Sequence, residues 1–563
     1  MNRKLCISLL SIAAFVSAGV TPGRAETLMT RHVREATING QAKQIGRLPA
    51  AQIMQLDVVL PMRDRDGLHA FLADLYSSTV PNYRHFLTPA EFTARFGPTQ
   101  EHYDAVVKYV QEHGLAVVGG SRDSMEVQVK GPVSAIEAAF HVNLLAYQHP
   151  TENRVFYAPD REPTVDLPFA LWHISGLDNY SIPHPLYVKK RDYAKAHGLR
   201  PEDVVTHATT GSGPSASFLG SDMRAAYYGG SALTGAGQNL GLFEYLGTDL
   251  ADLTKYYTNV KQTNTVPITL LSTDGTSTSC VDSRAGGRCD DTEQTLDMTQ
   301  ALGMAPGLAS LVMYIGSTDT AIISAMTTHN PLPTTIGCSW GWTPADPTTL
   351  DPYFEKMASQ GQNFFVASGD DSTWKKSGDA EAWPADDANI VAVGGTDLTT
   401  ASAAGPWKSE TAWVDSGGGI SPDKIAIPAW QQLAGVINSS NKGSTTYRNG
   451  PDVSANANFT FYVCADQTTC TANDYGGTSF AAPMWAGYIA LVNQQLAANG
   501  YSTIGFINPY LYAFGVSSSY GTDFHDITSG KSGSYSAVTG YDLVTGWGSP
   551  NGQGLINALV GED

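Results

Sequence analysis

The chain of 563 residues is 42% hydrophobic and carries a formal net charge of -19, a length that exceeds one ordinary domain and a charge that disfavours nucleic acid and anionic membranes as partners. Residues 1–210 hold 21 basic and 21 acidic side chains, whereas residues 211–563 hold 13 and 32. Two folded units are expected, the second suited to the pH range where carboxylates titrate and its self-repulsion falls.

Residues 1–25 read as a secretory signal: Arg3 and Lys4, an apolar run from Leu5 to Val20, and small residues in Gly23-Arg24-Ala25. That run is too short to span a bilayer, and no later stretch of about 18 apolar residues follows. A soluble, exported protein is expected, with no membrane contact after signal removal. Residues 26–182 then show helical spacing at Leu68–Tyr76, Tyr103–His113 and Val133–Phe140 and strand-like alternation at Met125–Val129, which predicts a small α+β unit of ferredoxin-like type. Residues 183–214 change texture to Lys189-Lys190-Arg191 and then to Thr, Ser, Gly and Pro. This reads as an exposed linker, with proteolytic maturation expected between about residues 190 and 216.

From residue 215 to 563, β-rich runs at Leu240–Tyr245, Ile268–Ser272, Ser310–Ile315, Asn363–Ala367 and Ile390–Val393 alternate with helical windows at Thr292–Leu302, Ile322–Thr328 and Pro352–Ser359. The alternation predicts an α/β unit with a mostly parallel sheet flanked by helices. Five cysteines follow the signal. The spacing of Cys280 with Cys289 and of Cys464 with Cys470 suits two short disulfides in an exported protein, and Cys338 reads as a buried thiol. Zinc is the competing reading, unsupported by any C-x-x-C or neighbouring histidine pair.

Gly476-Gly477-Thr478-Ser479 precedes Phe480-Ala481-Ala482-Pro483 and an apolar stretch to Leu496. This predicts a tight glycine turn that sets Ser479 at the start of a buried helix, where free N–H groups and the positive dipole end stabilise a developing oxyanion. The pattern G-T-S-x-x-x-P marks the nucleophile of subtilisin-like proteases, and those need a histidine base. Of 13 histidines only His329 and His525 lie beyond residue 210, each in a turn-like context. Another group must take the serine's proton. Glu293 and Asp297 share a helix face and, when buried, share a proton. Alone, the same stretch reads as a helix start with Asp290 as cap and Glu293 closing a capping box.

The serine motif, the missing histidine and the carboxylate pair together resemble the sedolisin family of serine-carboxyl peptidases. Asn82-Tyr83-Arg84-His85-Phe86-Leu87-Thr88-Pro89, Phe92 and Arg95-Phe96-Gly97-Pro98 look like that family's activation domain. Glu293-x-x-x-Asp297, Ser368-Gly369-Asp370, Val393-Gly394-Gly395-Thr396 and Ser479 follow in family order. The resemblance implies a subtilisin-like catalytic unit and a secreted, acid-active endopeptidase made as a self-processing zymogen. Its first unit would act as an intramolecular inhibitor, and the protein would work as a monomer on protein or peptide substrates. It further implies Glu293 as general base and acid, Asp297 as its proton-sharing partner, Glu244 as an extension of that network, and Asp370 as a protonated donor to the oxyanion. Trp340 would line the cleft. Near the C-terminus it implies one structural Ca²⁺ held by carboxylates of Asp526 and Asp542 and carbonyls of Ile527, Val538 and Gly540, an all-oxygen set. The family often has glycine where Val538 stands.

Other readings compete. A tripeptidyl-peptidase of the same family would need a cleft closed at one end. Gly337-Cys338-Ser339-Trp340-Gly341 is a formal esterase elbow, but Pro344 and Pro347 follow where a helix is required. Gly235-Ala236-Gly237 precedes its strand and so reads as a turn rather than a dinucleotide loop. A secreted binding protein on an inactive scaffold would not need Ser479, Glu293, Asp297 and Asp370 intact. Eleven early histidines and the basic linker suggest that acid loosens the first unit before self-cleavage.

Overall fold

The computed structural model describes residues 26–204, 210–280, 290–342, 347–375, 382–467 and 470–561. The signal segment and Cys289 lie outside the described residues. In the N-terminal unit β1 (Ile53–Val59), β2 (Ala116–Ser121), β3 (Glu126–Pro132) and β4 (His173–Ser175) form an antiparallel sheet in the order β2-β3-β1-β4. Helices α1 (Arg65–Leu75), α2 (Gln100–Glu112) and α3 (Val133–Phe140) accompany it, each within a few residues of its predicted window.

Side chains alternate across a strand, so the two faces of this sheet differ in chemistry. Leu56, Val58, Val127, Val129 and Ile174 point into an apolar core that includes Val106 and Val110 of α2 and Ile136 and Phe140 of α3. The opposite face carries Gln55, Asp57, Glu126, Gln128 and Ser175. It is polar and still buried, because it docks on the second unit. Thr318 Oγ1 donates to Asp57 at 2.5 Å, Ser324 Oγ to Glu126 at 2.7 Å and Gln128 Nε2 to the Thr273 carbonyl at 3.1 Å, while the Ser175 and Thr320 hydroxyls meet at 2.6 Å. Beside them α1 packs on the second unit, where Arg65 Nη2 meets Glu355 at 2.7 Å.

The second unit is built on an eight-stranded sheet. Its strands are β5 (Asn239–Glu244), β6 (Ile268–Ser272), β7 (Ser310–Ile315), β8 (Thr335–Cys338), β9 (Asn363–Ala367), β10 (Val391–Thr400), β11 (Trp407–Ala412) and β12 (Val453–Asn456). They stand in the order β6-β7-β5-β8-β9-β10-β11 with β12 on β10, all parallel except the β10–β11 pair. Parallel strands are covered on both faces. Leu240 and Leu242 pack with Leu296 and Met298 of α4 (Thr292–Met304) and with Trp485 and Ile489 of α7 (Ala481–Ala498). Phe243 turns to the other face, with Ile322 and Ile323 of α5 (Asp319–Met326) and Tyr353 and Phe354 of α6 (Pro347–Ser359). Cys464 and Cys470 form a disulfide and Cys338 is a buried free thiol, both as predicted. Among the described residues no helix is long and apolar enough to cross a membrane.

The start of the segment read as an exposed linker departs from that reading, whereas residues 195–203 are exposed. Residues 184–189 are inserted between two edges of the second unit. His184–Pro185 pairs antiparallel with Trp340–Gly341, and Val188–Lys189 with Tyr475–Gly476. Lys190–Ala196 is then a helix.

The sheet's far side is pinned by a charge pair at full burial. Arg448 Nη2 lies 2.6 Å from Asp452 Oδ2, with neither side chain exposed. Asp452 also accepts the Ala392 N–H of β10 at 2.8 Å and the Tyr512 hydroxyl at 2.8 Å. Arg448→Met strands that carboxylate without its cation and is expected to lower unfolding free energy by about 3–5 kcal/mol, read from the urea midpoint. Arg200→Met, which removes only exposed pairs with Glu202 and Asp203, is expected to leave the midpoint in place.

Candidate active site

Ser479 stands in a 3₁₀ turn, Thr478–Phe480, that runs directly into α7. Pro483 falls in the first turn of α7, where a missing N–H costs no helical bond. The turn is entered through Gly477 at φ +137°, and a Cβ there would lie 2.5 Å from the Leu186 carbonyl oxygen and 2.6 Å from Asp370 Oδ2. Only glycine admits both groups to this spot.

The carboxylate pair sits on α4, in which every residue except Gly303 is buried. Gly303 approaches the helix Gly220–Tyr227 so closely that its Cβ would lie 2.4 Å from the Gly220 Cα, which fixes α4 against its neighbour. One turn apart on this helix, Glu293 accepts the Ser479 hydroxyl on Oε2 at 3.0 Å and Asp297 accepts the Ser339 hydroxyl on Oδ1 at 2.7 Å. Glu244, the last residue of β5, accepts Trp340 Nε1 on Oε2 at 3.0 Å. Each of the three keeps one buried oxygen without a partner: Glu293 Oε1, Asp297 Oδ2 and Glu244 Oε1.

Burial is the largest influence on all three and pushes each pKa upward. The charges of Asp297 and Glu244 push Glu293 further, and the charge of Asp297 pushes Glu244 further. The Ser339 hydroxyl pulls Asp297 part of the way back. Oxygens that lack donors, on groups that favour the neutral form, are completed by protons held among them. Asp370 follows the same logic. Thr478 donates to its Oδ1 from N–H and from Oγ1, each at 2.8 Å, and Oδ2 has no partner. Burial drives its pKa well above the usual range, which favours the neutral form, the form able to donate.

Glu244 ends β5, Ser339 follows β8 and Asp370 follows β9, so the site lies along the carboxyl edge of the parallel strands, where open α/β sheets place their ligands.

Residues 40–179 match the Pro-kumamolisin activation domain, and residues 292–504 match the Subtilase family. Kumamolisin from Bacillus sp. (strain MN-32) is 28% identical over 547 residues, which covers 92% of this chain and 94% of that protein. Sedolisin from Pseudomonas sp. (strain 101) is 28% identical over 603 residues, covering 98% and 95%. The chain belongs to the sedolisin family of serine-carboxyl peptidases. A solved structure of Pseudomonas sedolisin complexed with two molecules of pseudo-iodotyrostatin aligns over 61% of this chain and 96% of that one, at TM-score 0.48 and 28% identity. As a sedolisin-family member the protein is a serine-type peptidase with a subtilisin-like fold.

Within this sedolisin-family scaffold the two late histidines have other company. His329 bonds the Tyr314 hydroxyl and His525 stacks on Trp407 at 3.8 Å. Ser339 does not head a helix, as an esterase elbow requires. It is followed by the short strand Trp340–Gly341, and its hydroxyl serves Asp297. Gly235 and Gly237 have φ of +79° and +78°, as a turn requires. Asp290 does not cap α4 as predicted: the N-cap is Asp291 and no capping-box bond forms, although Asp290 accepts the Thr292 N–H at 3.1 Å. Ser339 as the partner of Asp297, and Tyr187 with its hydroxyl on Asp290, were not singled out from sequence as site residues. The signal for Ser339 was present in its position just after β8.

For the calcium ligands that the family resemblance implies, the fit rests on charge. Gly540 N–H donates to both oxygens of Asp526 at 3.2 Å, and Val538 N–H to Asp542 at 3.1 Å, so the two carboxylates share one stretch of backbone. Among the described residues their remaining hydrogen-bond partners are Val544 and Thr545 N–H and the hydroxyls of Tyr520 and Thr545. Burial raises both pKa values, that of Asp542 to about 7. The set suits a hard divalent cation, with two carboxylates whose charge no basic side chain meets and carbonyls nearby. Among the described residues no cluster of three or more His, Cys, Asp or Glu marks a metal site, so the carbonyls would have to complete the ligand set.

Gly477→Ala puts a side chain on backbone at φ +137° and is expected to lower the unfolding midpoint while the far-ultraviolet spectrum keeps its shape. Its methyl group displaces either Asp370 or the carbonyl in the cleft, so kcat/KM for a peptide falls by about 100-fold.

Proposed function

We propose that the protein is an exported, acid-active serine-carboxyl endopeptidase, made as a zymogen with a signal at 1–25, a prodomain at 26–182, a linker at 183–214 and a catalytic unit at 215–563. What carries this reading is the hydrogen bond from Ser479 Oγ to Glu293 Oε2, with no histidine bonded to either side chain among the described residues.

Ser479 Oγ attacks the peptide carbonyl and passes its proton to Glu293, whose charge Asp297 and Glu244 share through their protons. The oxyanion takes hydrogen bonds from Ser479 N–H and the protonated Asp370. Glu293 returns the proton to the leaving nitrogen, and water attacks the acyl-enzyme by the same route. The carboxyl donor requires acid, and a carboxyl group can serve as base at a pH where an imidazole would be fully protonated. The unbroken passage of residues 184–189 through the cleft, bridged on both sides, supports cutting within chains over removal of tripeptides.

Ca²⁺ is assigned to Asp526, Asp542 and the carbonyls of Ile527, Val538 and Gly540. When bound it neutralises the two carboxylates and ties their loop together.

Purified protein is expected to cleave a denatured protein at pH ~4, near the titration range of a carboxyl base, and Ser479→Ala is expected to be inert. An unchanged rate in Ser479→Ala, or activity only in the neutral range, would sink the proposal. Asp370 donates only while protonated, so the wild-type rate falls as pH rises through its raised pKa. Asp370→Asn keeps a donor at every pH and shifts that alkaline limb upward, while Asp370→Ala lowers kcat by about 10²–10³. Chelation of Ca²⁺ is expected to lower the thermal midpoint, with restoration at saturating Ca²⁺ worth about 2.7 kcal/mol at 100 times Kd. Asp542→Asn removes that response.

A further inference from the structure

We propose that the Leu186–Tyr187 peptide bond is the first bond the enzyme cuts, in its own chain, and that its surroundings report the cleft's preference: an apolar side chain before the cut and a tyrosine-like one after it. The inference rests on Ser479 being the nucleophile, as proposed above.

Three observations converge on this bond. The Leu186 carbonyl oxygen accepts the Ser479 N–H at 3.1 Å, the donor that would hold an oxyanion, and it shares the space above Gly477 with the unpartnered Oδ2 of Asp370. Leu186 N–H donates to the Ser339 carbonyl at 2.9 Å, which continues the antiparallel pairing of His184–Pro185 with Trp340–Gly341 up to the nucleophile. Beyond the bond the chain stays extended, with Val188–Lys189 on Tyr475–Gly476 and Lys190 N–H bonded to the Asp474 carbonyl at 2.8 Å. A peptide strung between two edges with one carbonyl on the oxyanion donor is a bound substrate in all but sequence of origin.

The side chains are housed accordingly. Leu186 is 6% exposed and belongs to the large apolar cluster of the catalytic unit. Tyr187 lies 5.9 Å from the Tyr475 ring and donates its hydroxyl to Asp290 at 3.1 Å. Lys189 Nζ sits 5.5 Å over the Tyr475 ring and 3.8 Å from Asp290. The basic triplet Lys189-Lys190-Arg191, which drew attention in the sequence, is past the nucleophile, and Lys190 opens a helix unsuited to an extended cleft. The cut thus lies upstream of the range from about 190 to 216 expected from exposure alone.

In the reaction the Ser479 Oγ–C bond forms at Leu186 as the Ser479 proton moves to Glu293. The Leu186 C–Tyr187 N bond breaks with that proton returned to the Tyr187 nitrogen. Water then hydrolyses the ester, leaving a carboxylate on Leu186, an amine on Tyr187 and Ser479 restored.

The test is to acidify the purified full chain and read the earliest product by N-terminal sequencing and intact mass. The expected first new N-terminus is Tyr187, formed with a rate constant that dilution leaves unchanged. A first cut elsewhere with this bond intact, or a rate that rises with protein concentration, overturns the inference. Because Leu186→Asp could misfold the zymogen, a synthetic peptide spanning residues 183–190 is also offered to matured enzyme. It should be cut between Leu and Tyr, and about tenfold or more slowly with Asp in place of Leu. Cutting at another bond, or equal rates, counts against the proposal. If denatured protein is digested but this bond is not first, only this inference fails; if nothing is cut, the reading of Ser479 fails and takes this one with it.

Discussion

The site depends on one constraint: four carboxyl groups, Glu244, Glu293, Asp297 and Asp370, are buried with no cation beside them among the described residues. Burying an isolated charge costs several kcal/mol even after the surroundings relax, so such groups hold protons instead. Asp452 is the counter-example in the same unit. It is equally buried, yet it meets Arg448 and three further donors and serves as a structural tie. Between Asp452 and these four carboxyls, a neighbouring cation is the difference. Enclosing α4 on all sides and ending β5, β8 and β9 at one edge is how the fold assembles the four.

The same physics reaches the interface between the units. Burial raises Asp57 to about 7, aided by Asp274 and Asp319, and raises Glu126, aided by Asp57 and opposed by Lys356. A carboxyl raised on docking favours the docked state at low pH, and that advantage is lost as pH rises toward the raised value. His173 has the opposite sign. It is buried against His32 at 4.4 Å and pushed well below the usual imidazole range, so its contribution is lost as pH falls. Lys356, lowered to about 7 by burial, acts in the same direction as His173. The two signs oppose each other, so pH acts on this interface in both directions. Acid favours the neutral form of the docking-face carboxyls Asp57 and Glu126 and the charged form of His173 behind them.

Much of this was legible in the sequence where a local pattern carries it. Val133–Phe140 forms as predicted, and the serine turn and the start of α4 at Thr292 were visible because glycines, a proline and an apolar run each act within one turn. Other ends were missed for polar reasons. The window Ile322–Thr328 begins late because α5 starts at Asp319 behind the Thr318 cap, which an apolar count does not see. Long-range partners left no local trace: the bond from Ser339 to Asp297 spans 42 residues and that from Ser324 to Glu126 spans 198. The polar face of β1 and β3 would suit water as well as it suits a second unit. The linker's Pro, Lys and Arg likewise suited exposure, while only the antiparallel bridges reveal that residues 184–189 lie between two edges of the second unit.

The pairing of Val188–Lys189 with Tyr475–Gly476 lies wholly downstream of the cut, on the piece that keeps Ser479. Cleavage breaks none of its hydrogen bonds. A newly cut molecule accordingly begins life with its own leading end across the leaving-group half of its cleft, an enzyme occupied by itself. Maturation then has two stages, a covalent one that a mass change reports and a later clearance, by peeling or trimming, before a foreign chain can lie along both edges.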